Sequence, residues 1–198
     1  MQISWLGYSA FRLQSEGNIL ITDPIDADKN FKINKQSANI VVSSVRGNES
    51  ADAVSGTPFL ITSPGEYETK SIFVYGVLCN GKTIYMITID SIQIAYIGPV
   101  KIKELTEAQM AVLEGADMLI VPVGGGNVCS AKEAVHIINE VEPSIVIPSY
   151  YKISGSKGLD SIDAFLKEYS APRQETEKLK LHKRDLVDED TKVVILKR

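Results

Sequence analysis

The sequence predicts an α/β fold, and three observations support this prediction. Short apolar runs separated by turn residues occupy much of the first half of the 198-residue chain. In the second half, Thr106 with Gln109 and Ser130 with Glu133 have the spacing of capping boxes, which mark helix starts. Continuous apolar runs alternate with these helices and are typical of buried strands. We expect one domain that spans residues 1–198, because a chain of this length can bury a single core.

The first three strands are expected to form an antiparallel meander. Apolar runs at residues 3–6, 10–14 and 18–22 are divided by Gly7-Tyr8-Ser9 and Glu16-Gly17. Asp23 then precedes Pro24, and a residue before proline is biased towards extended backbone geometry. Asp23 would therefore end the third strand and direct its carboxylate into any cleft beyond it.

Two hairpins are predicted in the middle of the chain. Asn80-Gly81 separates the runs 72–78 and 83–89, and this dipeptide favours a type I′ turn with positive φ at both residues. Asp90-Ser91 connects the second run to residues 92–97.

The second half is expected to alternate strands and helices. Buried strands are predicted at 118–121 and 145–147, and closing strands at 178–182 and 192–197. The helical spacing of Ile162, Phe165, Leu166 and Tyr169 predicts a third helix.

Composition excludes several classes of protein. The formal net charge is −4 and no block of lysine and arginine occurs, which argues against a nucleic-acid binder. No apolar run approaches the roughly 20 residues that span a bilayer. Cys79 and Cys129 are too few for a disulfide framework, so we expect a cytoplasmic protein with two free thiols.

Three motifs carry a resemblance to a known family. They are Trp5-Leu6-Gly7-Tyr8-Ser9, Asp23-Pro24 and Pro64-Gly65-Glu66-Tyr67-Glu68. With these motifs the chain resembles the metallo-β-lactamase superfamily, and within it a small group of predicted metal-dependent hydrolases that contain the phrase G-E-Y-E. The resemblance covers residues 1 to about 152 and implies a four-layer αββα sandwich.

The resemblance also implies where metal ligands should be, and this sequence departs from the family there. Relatives bind one or two zinc-like ions, which supply hydroxide at neutral pH, through H-x-H-x-D-H and two later motifs. The matching positions are Ser44, Arg46, Asn48, Glu49, Pro99 (for the aspartate of L-G-D) and Ser149 (for the histidine of I-P-M-H-Y). A further histidine-bearing segment is replaced by the Asn80-Gly81 turn. The two histidines, His136 and His182, suit surface or core positions better than a metal site.

We therefore expect the metal site to be lost and no cofactor to be required. The preferred interpretation is a non-catalytic protein kept for binding, assembly or regulation. The alternative is an active hydrolase in which Asp23, Glu49 and Glu66 hold Mg²⁺ or Ca²⁺, or in which no metal takes part. A metal-free nucleophile needs a base, and the sequence pairs none with Ser44, Ser149 or Cys129.

A small anionic ligand is a further possibility. Arg46, with Lys101 or Lys152, could attract an anion where a dication is bound in relatives, and Tyr150 could line the same cleft. Asp23 and Glu66 complete the set of candidate ligand-binding residues. A homo-oligomeric assembly is also possible from the sequence.

Two other motifs have structural explanations that we prefer. Gly124-Gly125-Gly126 could hold a phosphate on backbone N–H groups, but a family feature that allows a tight turn is the preferred explanation. Cys129 could have a lowered pKa at a helix start, but a lone cysteine without a base is more often structural.

Overall fold

The computed structural model describes residues 1–24, 33–47, 53–186 and 190–198. In these residues the first-half strands are β1 (Gln2–Gly7), β2 (Ala10–Ser15), β3 (Asn18–Thr22), β4 (Gln36–Ser37), β5 (Ile40–Val42), β6 (Val54–Ser55), β7 (Phe59–Ile61), β8 (Gly65–Thr69), β9 (Ile72–Cys79), β10 (Lys82–Ile89) and β11 (Ile92–Tyr96). The later elements are α1 (Glu107–Leu113), β12 (Met118–Pro122), α2 (Ala131–Val141), β13 (Ile145–Ser149), α3 (Ile162–Glu168), β14 (Arg173–Thr176), β15 (Lys178–Lys180) and β16 (Lys192–Leu196).

Two large sheets contain most of these strands. The first has the order β15-β1-β2-β3-β5-β7, and its β1-β2-β3 part is the predicted meander. The second has the order β14-β16-β13-β12-β11-β10-β9-β8. β4 and β6 form a separate two-stranded ladder. The first and last parts of the chain meet in the first sheet, because Gln2 pairs with Lys180.

The sheets face each other across a core rich in isoleucine, valine and leucine. Tyrosines bridge the two layers: the Tyr85 hydroxyl donates to the carbonyl of Ser43 at 2.7 Å, and the Tyr96 hydroxyl donates to the carbonyl of Ser9 at 2.8 Å. α1 packs on β9 and β10, and α2 packs on β12 and on α3. The predicted α/β sandwich is therefore the observed fold.

The predicted turns and caps are confirmed. Asn80 and Gly81 have φ values of +49° and +76°, and Asp90 and Ser91 have +53° and +61°. Both capping boxes are complete, with each cap side chain accepting from the backbone three residues later and each glutamine or glutamate side chain accepting in return.

Some local predictions are wrong. Asp23 is not extended: its φ is +33°, although its backbone N–H still donates to the carbonyl of Val42 at 2.8 Å. The first closing strand ends at Lys180, and a 3-10 turn at Lys183–Asp185 follows. The strands β4, β6 and β14 are short and largely polar, so no apolar pattern predicted them.

None of the described helices is long and apolar enough to cross a membrane.

Candidate functional site

The candidate site lies where several strands end together. Asp23 follows β3, Ser43 and Ser44 follow β5, Gly98 comes two residues after β11, and Ser149 ends β13. The parallel register of β11, β12 and β13 aligns Tyr96 with Ile120 and Ile147, so Gly98 lies at the level of Ser149. Ligand sites of open α/β sheets commonly form at the carboxyl ends of such strands.

Asp23 is at the centre of a buried hydrogen-bond network. Its side chain is 1% exposed, and its Oδ1 accepts from the backbone N–H of Ser44 at 2.7 Å. Its Oδ2 shares a 2.5 Å hydrogen bond with the hydroxyl of Tyr96. Ser43 donates to Oδ1 over a longer distance, 3.4 Å.

Burial raises the pKa of Asp23 above its usual value, while hydrogen bonds from Tyr96 and Ser44 act in the opposite direction. The pKa of Tyr96 is also raised, by its own burial and by the Asp23 charge. Tyr96 has one hydroxyl proton, and the carbonyl of Ser9 also accepts at 2.8 Å. One proton cannot serve both acceptors, so the Tyr96 hydroxyl donates either to Asp23 Oδ2 or to the carbonyl of Ser9 at any one time.

Ser44 and Asp23 fill the space beside Gly98. A Cβ atom at position 98 would lie 2.0 Å from Ser44 Oγ, 2.7 Å from Ser44 Cβ and 2.5 Å from Asp23 Oδ2. These distances are far inside van der Waals contact, so only glycine fits there. The three residues form a closed contact rather than an open pocket.

Ser44 and Ser149, two of the positions at which the resemblance implied metal ligands, both carry buried hydroxyls. Ser44 is 2% exposed and Ser149 is fully buried, and neither Oγ has a hydrogen-bond partner among the described residues.

Three cationic side chains belong to segments that lead to or from the candidate site. Lys82 Nζ donates to the carbonyl of Pro99, a buried residue that the resemblance implied as a ligand position. Lys101 Nζ donates to the carbonyl of Gly126 at 3.2 Å. Arg46 is exposed two residues after Ser44, on the same loop. Since the backbone N–H of Thr83 donates to the carbonyl of Ser44 at 2.9 Å, the Lys82 strand lies directly beside that loop.

The structure brings some of the candidate residues together and separates others. Ser44 contacts Gly98, the neighbour of Pro99. Tyr150, next to Ser149, has its ring centroid 5.1 Å from that of Tyr8. Glu66 is exposed on β8 and does not belong to the buried cluster around Asp23. Asn48 and Glu49 lie outside the described residues.

A small cleft remains next to Tyr8 and Tyr150. It measures about 260 Å³ and is also lined by Gly126, Asn127 and Lys157. The glycine turn beside it is explained by packing, because a Cβ at Gly124 would lie 2.1 Å from the carbonyl oxygen of Tyr150.

Cys129 and the two histidines have structural positions. Burial raises the pKa of Cys129 to about 12, so the possibility of a lowered pKa is wrong. His136 pairs with Glu140 on the exposed side of α2, and His182 pairs with Asp185 at the 3-10 turn.

The described residues at the positions that the resemblance implied for metal ligands do not fit a zinc ion. Zinc sites use imidazole, thiolate or carboxylate ligands, whereas these positions hold two serines, an exposed arginine and a proline. Asp23, the one buried carboxylate among the described residues, is engaged by Tyr96 and Ser44. Among the described residues, no group of three or more His, Cys, Asp or Glu side chains is placed to hold a metal ion.

Comparison with known proteins establishes the family. Residues 2–150 match the β-lactamase superfamily domain, so the chain belongs to the metallo-β-lactamase superfamily, as the resemblance implied. No curated protein matches the sequence.

Solved structures share the fold over nearly the whole chain. A protein from Thermotoga maritima, named as a proposed Zn-dependent hydrolase of this superfamily, has a TM-score of 0.85 at 27% identity, with 99% of this chain and 98% of that chain covered. A proposed metal-dependent hydrolase from Parabacteroides distasonis has a TM-score of 0.62 at 15% identity, with 98% and 93% covered. A metallo-β-lactamase fold protein from Bacillus subtilis has a TM-score of 0.62 at 13% identity, with 99% and 96% covered.

Sequence reasoning missed Tyr96 and Lys82. Tyr96 ends a predicted strand, and its partner Asp23 is 73 residues away, so no local pattern connects them. A signal existed for Lys82, because it directly follows the Asn80-Gly81 turn, which the resemblance already placed at the site.

Proposed function

We propose that this chain is a non-catalytic member of the metallo-β-lactamase superfamily, kept as a binding module. The observation that carries the proposal is the contact of Ser44 and Asp23 with Gly98, which fills the space at the former ligand positions from within. Hydrolysis by this fold requires a metal-activated water, and the described side chains at those positions are poor ligands.

Metal content and metal binding test the proposal. We expect the purified protein to retain no stoichiometric zinc or manganese, and neither ion to raise its melting temperature. A metal at about 100 times its Kd would add about 2.7 kcal/mol of stability, enough for a clear shift in melting temperature. EDTA should leave the melting temperature unchanged.

The alternative hydrolase makes the opposite prediction. Stoichiometric metal that raises the melting temperature, and that is lost in a Glu49→Ala variant, would overturn the non-catalytic proposal. Glu177→Ala is the matched control, because Glu177 is an exposed glutamate in the segment between β14 and β15.

The ligand class that we propose is a small anion. The ammonium group of Lys82 donates to the carbonyl of Pro99, and that of Lys101 donates to the carbonyl of Gly126. Arg46 is exposed on the adjoining loop. Cationic groups beside this buried cluster would attract phosphate, sulfate or a carboxylate.

A further inference from the structure

One edge of the second sheet is formed by the strand β8. In the described part of the chain, β8 pairs only with β9. Its neighbour in sequence, β7, ends the first sheet and is joined to β8 by residues 62–64. The edges of both sheets are therefore close together on one side of the molecule.

Register determines which backbone groups of β8 face outwards. Lys70 and Ser71 form a two-residue turn with φ values of +54° and +58°, and Thr69 pairs with Ile72 to close it. Hydrogen-bonded and non-hydrogen-bonded pairs then alternate along the hairpin. The backbone N–H and C=O groups of Glu66 and Glu68 therefore point away from β9, towards the edge.

The same two glutamates border an apolar groove on the outer face of the sheet. Glu68 pairs with Phe73, and Glu66 pairs with Tyr75. Phe73 is 50% exposed and Tyr75 is 45% exposed, large values for aromatic side chains on a sheet. Met86 and Thr88 of β10 complete this groove, which measures about 570 Å³.

The side of β8 that faces the first sheet is also apolar. Tyr67 pairs with the buried Val74, and its ring centroid lies 6.5 Å from that of Phe59 on β7. Phe59 is 49% exposed and Leu60 is 50% exposed. A strand added beside β8 would thus meet carboxylates on one face and aromatic or aliphatic groups on the other.

We propose that β8 binds an extended segment of another protein, with lysine or arginine at alternate positions and apolar residues between them. The outward backbone groups of Glu66 and Glu68 would pair with the segment as in β-strand addition. Directly opposite side chains in such a pair lie about 4.5–5.5 Å apart at Cβ, so a cation would meet each carboxylate. The intervening apolar residues would cover Tyr67 and Phe59.

Charge selects this partner over a symmetric pair of identical chains. Two β8 strands paired antiparallel would place Glu66 and Glu68 opposite glutamates of the partner, and like charges opposite each other are destabilising. A basic segment converts each of these repulsions into an attraction.

A peptide titration tests the proposal. The probe is a fluorescent heptapeptide that alternates lysine and valine, and the control peptide alternates glutamate and valine. We expect only the lysine peptide to bind, with an affinity that falls as salt rises. Glu66→Lys with Glu68→Lys should weaken binding by at least about tenfold.

Matched variants distinguish an effect of the β8 edge from an effect of the protein's net charge. Glu104→Lys with Glu168→Lys changes the net charge equally at exposed sites outside β8 and should leave binding unchanged. Glu66→Pro removes an outward N–H that the β8–β9 ladder does not use, and should weaken binding while the circular dichroism spectrum is retained.

Three results would overturn the proposal. The first is that the Glu66→Lys, Glu68→Lys variant binds the lysine peptide as tightly as the parent protein does. The second is that the Glu104→Lys, Glu168→Lys control loses as much affinity as the β8 variant. The third is that the protein does not bind the peptide and instead self-associates in a salt-dependent way through the exposed Lys178 and Lys180 of β15. Because β8 is separate from the Asp23 cluster, these results do not depend on whether the chain binds metal.

Discussion

Asp23 gains its properties from burial beside a tyrosine. In the native protein its pKa is raised by desolvation, so it holds its proton at pH values where the unfolded chain, with a pKa near 3.8, has lost it. Between these two pKa values the unfolded state binds fewer protons than the native state. Stability therefore falls as pH rises through that interval and is constant above it.

An Asp23→Asn variant should lack this pH dependence. The asparagine carbonyl can accept from Ser44 N–H, and its amide can donate to the Tyr96 hydroxyl, as the protonated acid does. We expect the variant to gain stability relative to the parent as pH rises from about 4, by up to about 1.4 kcal/mol per pH unit between the two pKa values. Urea unfolding at several pH values measures this, and a pH-independent difference would contradict it.

Gly98 makes a tight contact with Ser44 and Asp23 that mutation can test. Gly98→Ala would force a methyl group against Ser44 and Asp23, and overpacking of this kind costs about 1–3 kcal/mol or more. Ser44→Gly removes two of the three crowding atoms. We therefore expect the double variant to be more stable than the sum of the single changes predicts, as measured by urea unfolding in a double-mutant cycle. Strict additivity would show that the contact is not tight.

At the scale of the element, hairpins and helix starts were the most predictable features. The Asn80-Gly81 and Asp90-Ser91 turns and both capping boxes depend on residues within four positions of each other, so the sequence contains their whole cause. The backbone of Asp23 follows a different rule. Proline at position 24 favours an extended φ, but hydrogen bonds to Val42 and Ser44 come from another strand and override it.

The side-chain network at the candidate site was not predictable from the sequence. The resemblance implied Ser44, Pro99 and Ser149 as site positions, and the structure places Ser44 against Gly98, the neighbour of Pro99. The network that fills the space joins residues 21 and 73 positions apart, and no periodic pattern encodes such pairs.

The Asn80 hairpin offers a test of a single element. Asn80→Ala places a Cβ-bearing residue without local hydrogen bonding in the left-handed region, at a cost of about 1–2 kcal/mol. Asn80→Gly also loses the 2.7 Å hydrogen bond from Nδ2 to the carbonyl of Lys101, but it tolerates φ of +49°. We expect alanine to lower the free energy of unfolding by more than glycine does. Equal losses would mean that the hydrogen bond, not the turn conformation, determines the effect.

For the whole molecule, the proposed anion should stabilise the fold by binding only the native state. Sulfate or phosphate should raise the melting temperature at low ionic strength, and Arg46→Ala should reduce the rise. Arg184→Ala is the matched control, because Arg184 has an 82% exposed side chain at the distant 3-10 turn. An equal rise in Arg46→Ala and in the parent would rule out Arg46 as part of the anion site.

The pairing of β1 with β15 has a consequence for synthesis on the ribosome. Gln2 finds its partner only at Lys180, 178 residues later. At a typical elongation rate of about 5–20 residues per second, the growing chain spends roughly 10–40 s with one side of its first strand unmatched. During that time the β1–β2–β3 meander can form from local sequence, but its β1 side stays available to other nascent chains. Translation speed should therefore influence the yield of correctly folded protein, because slower elongation lengthens the interval in which β1 lacks β15.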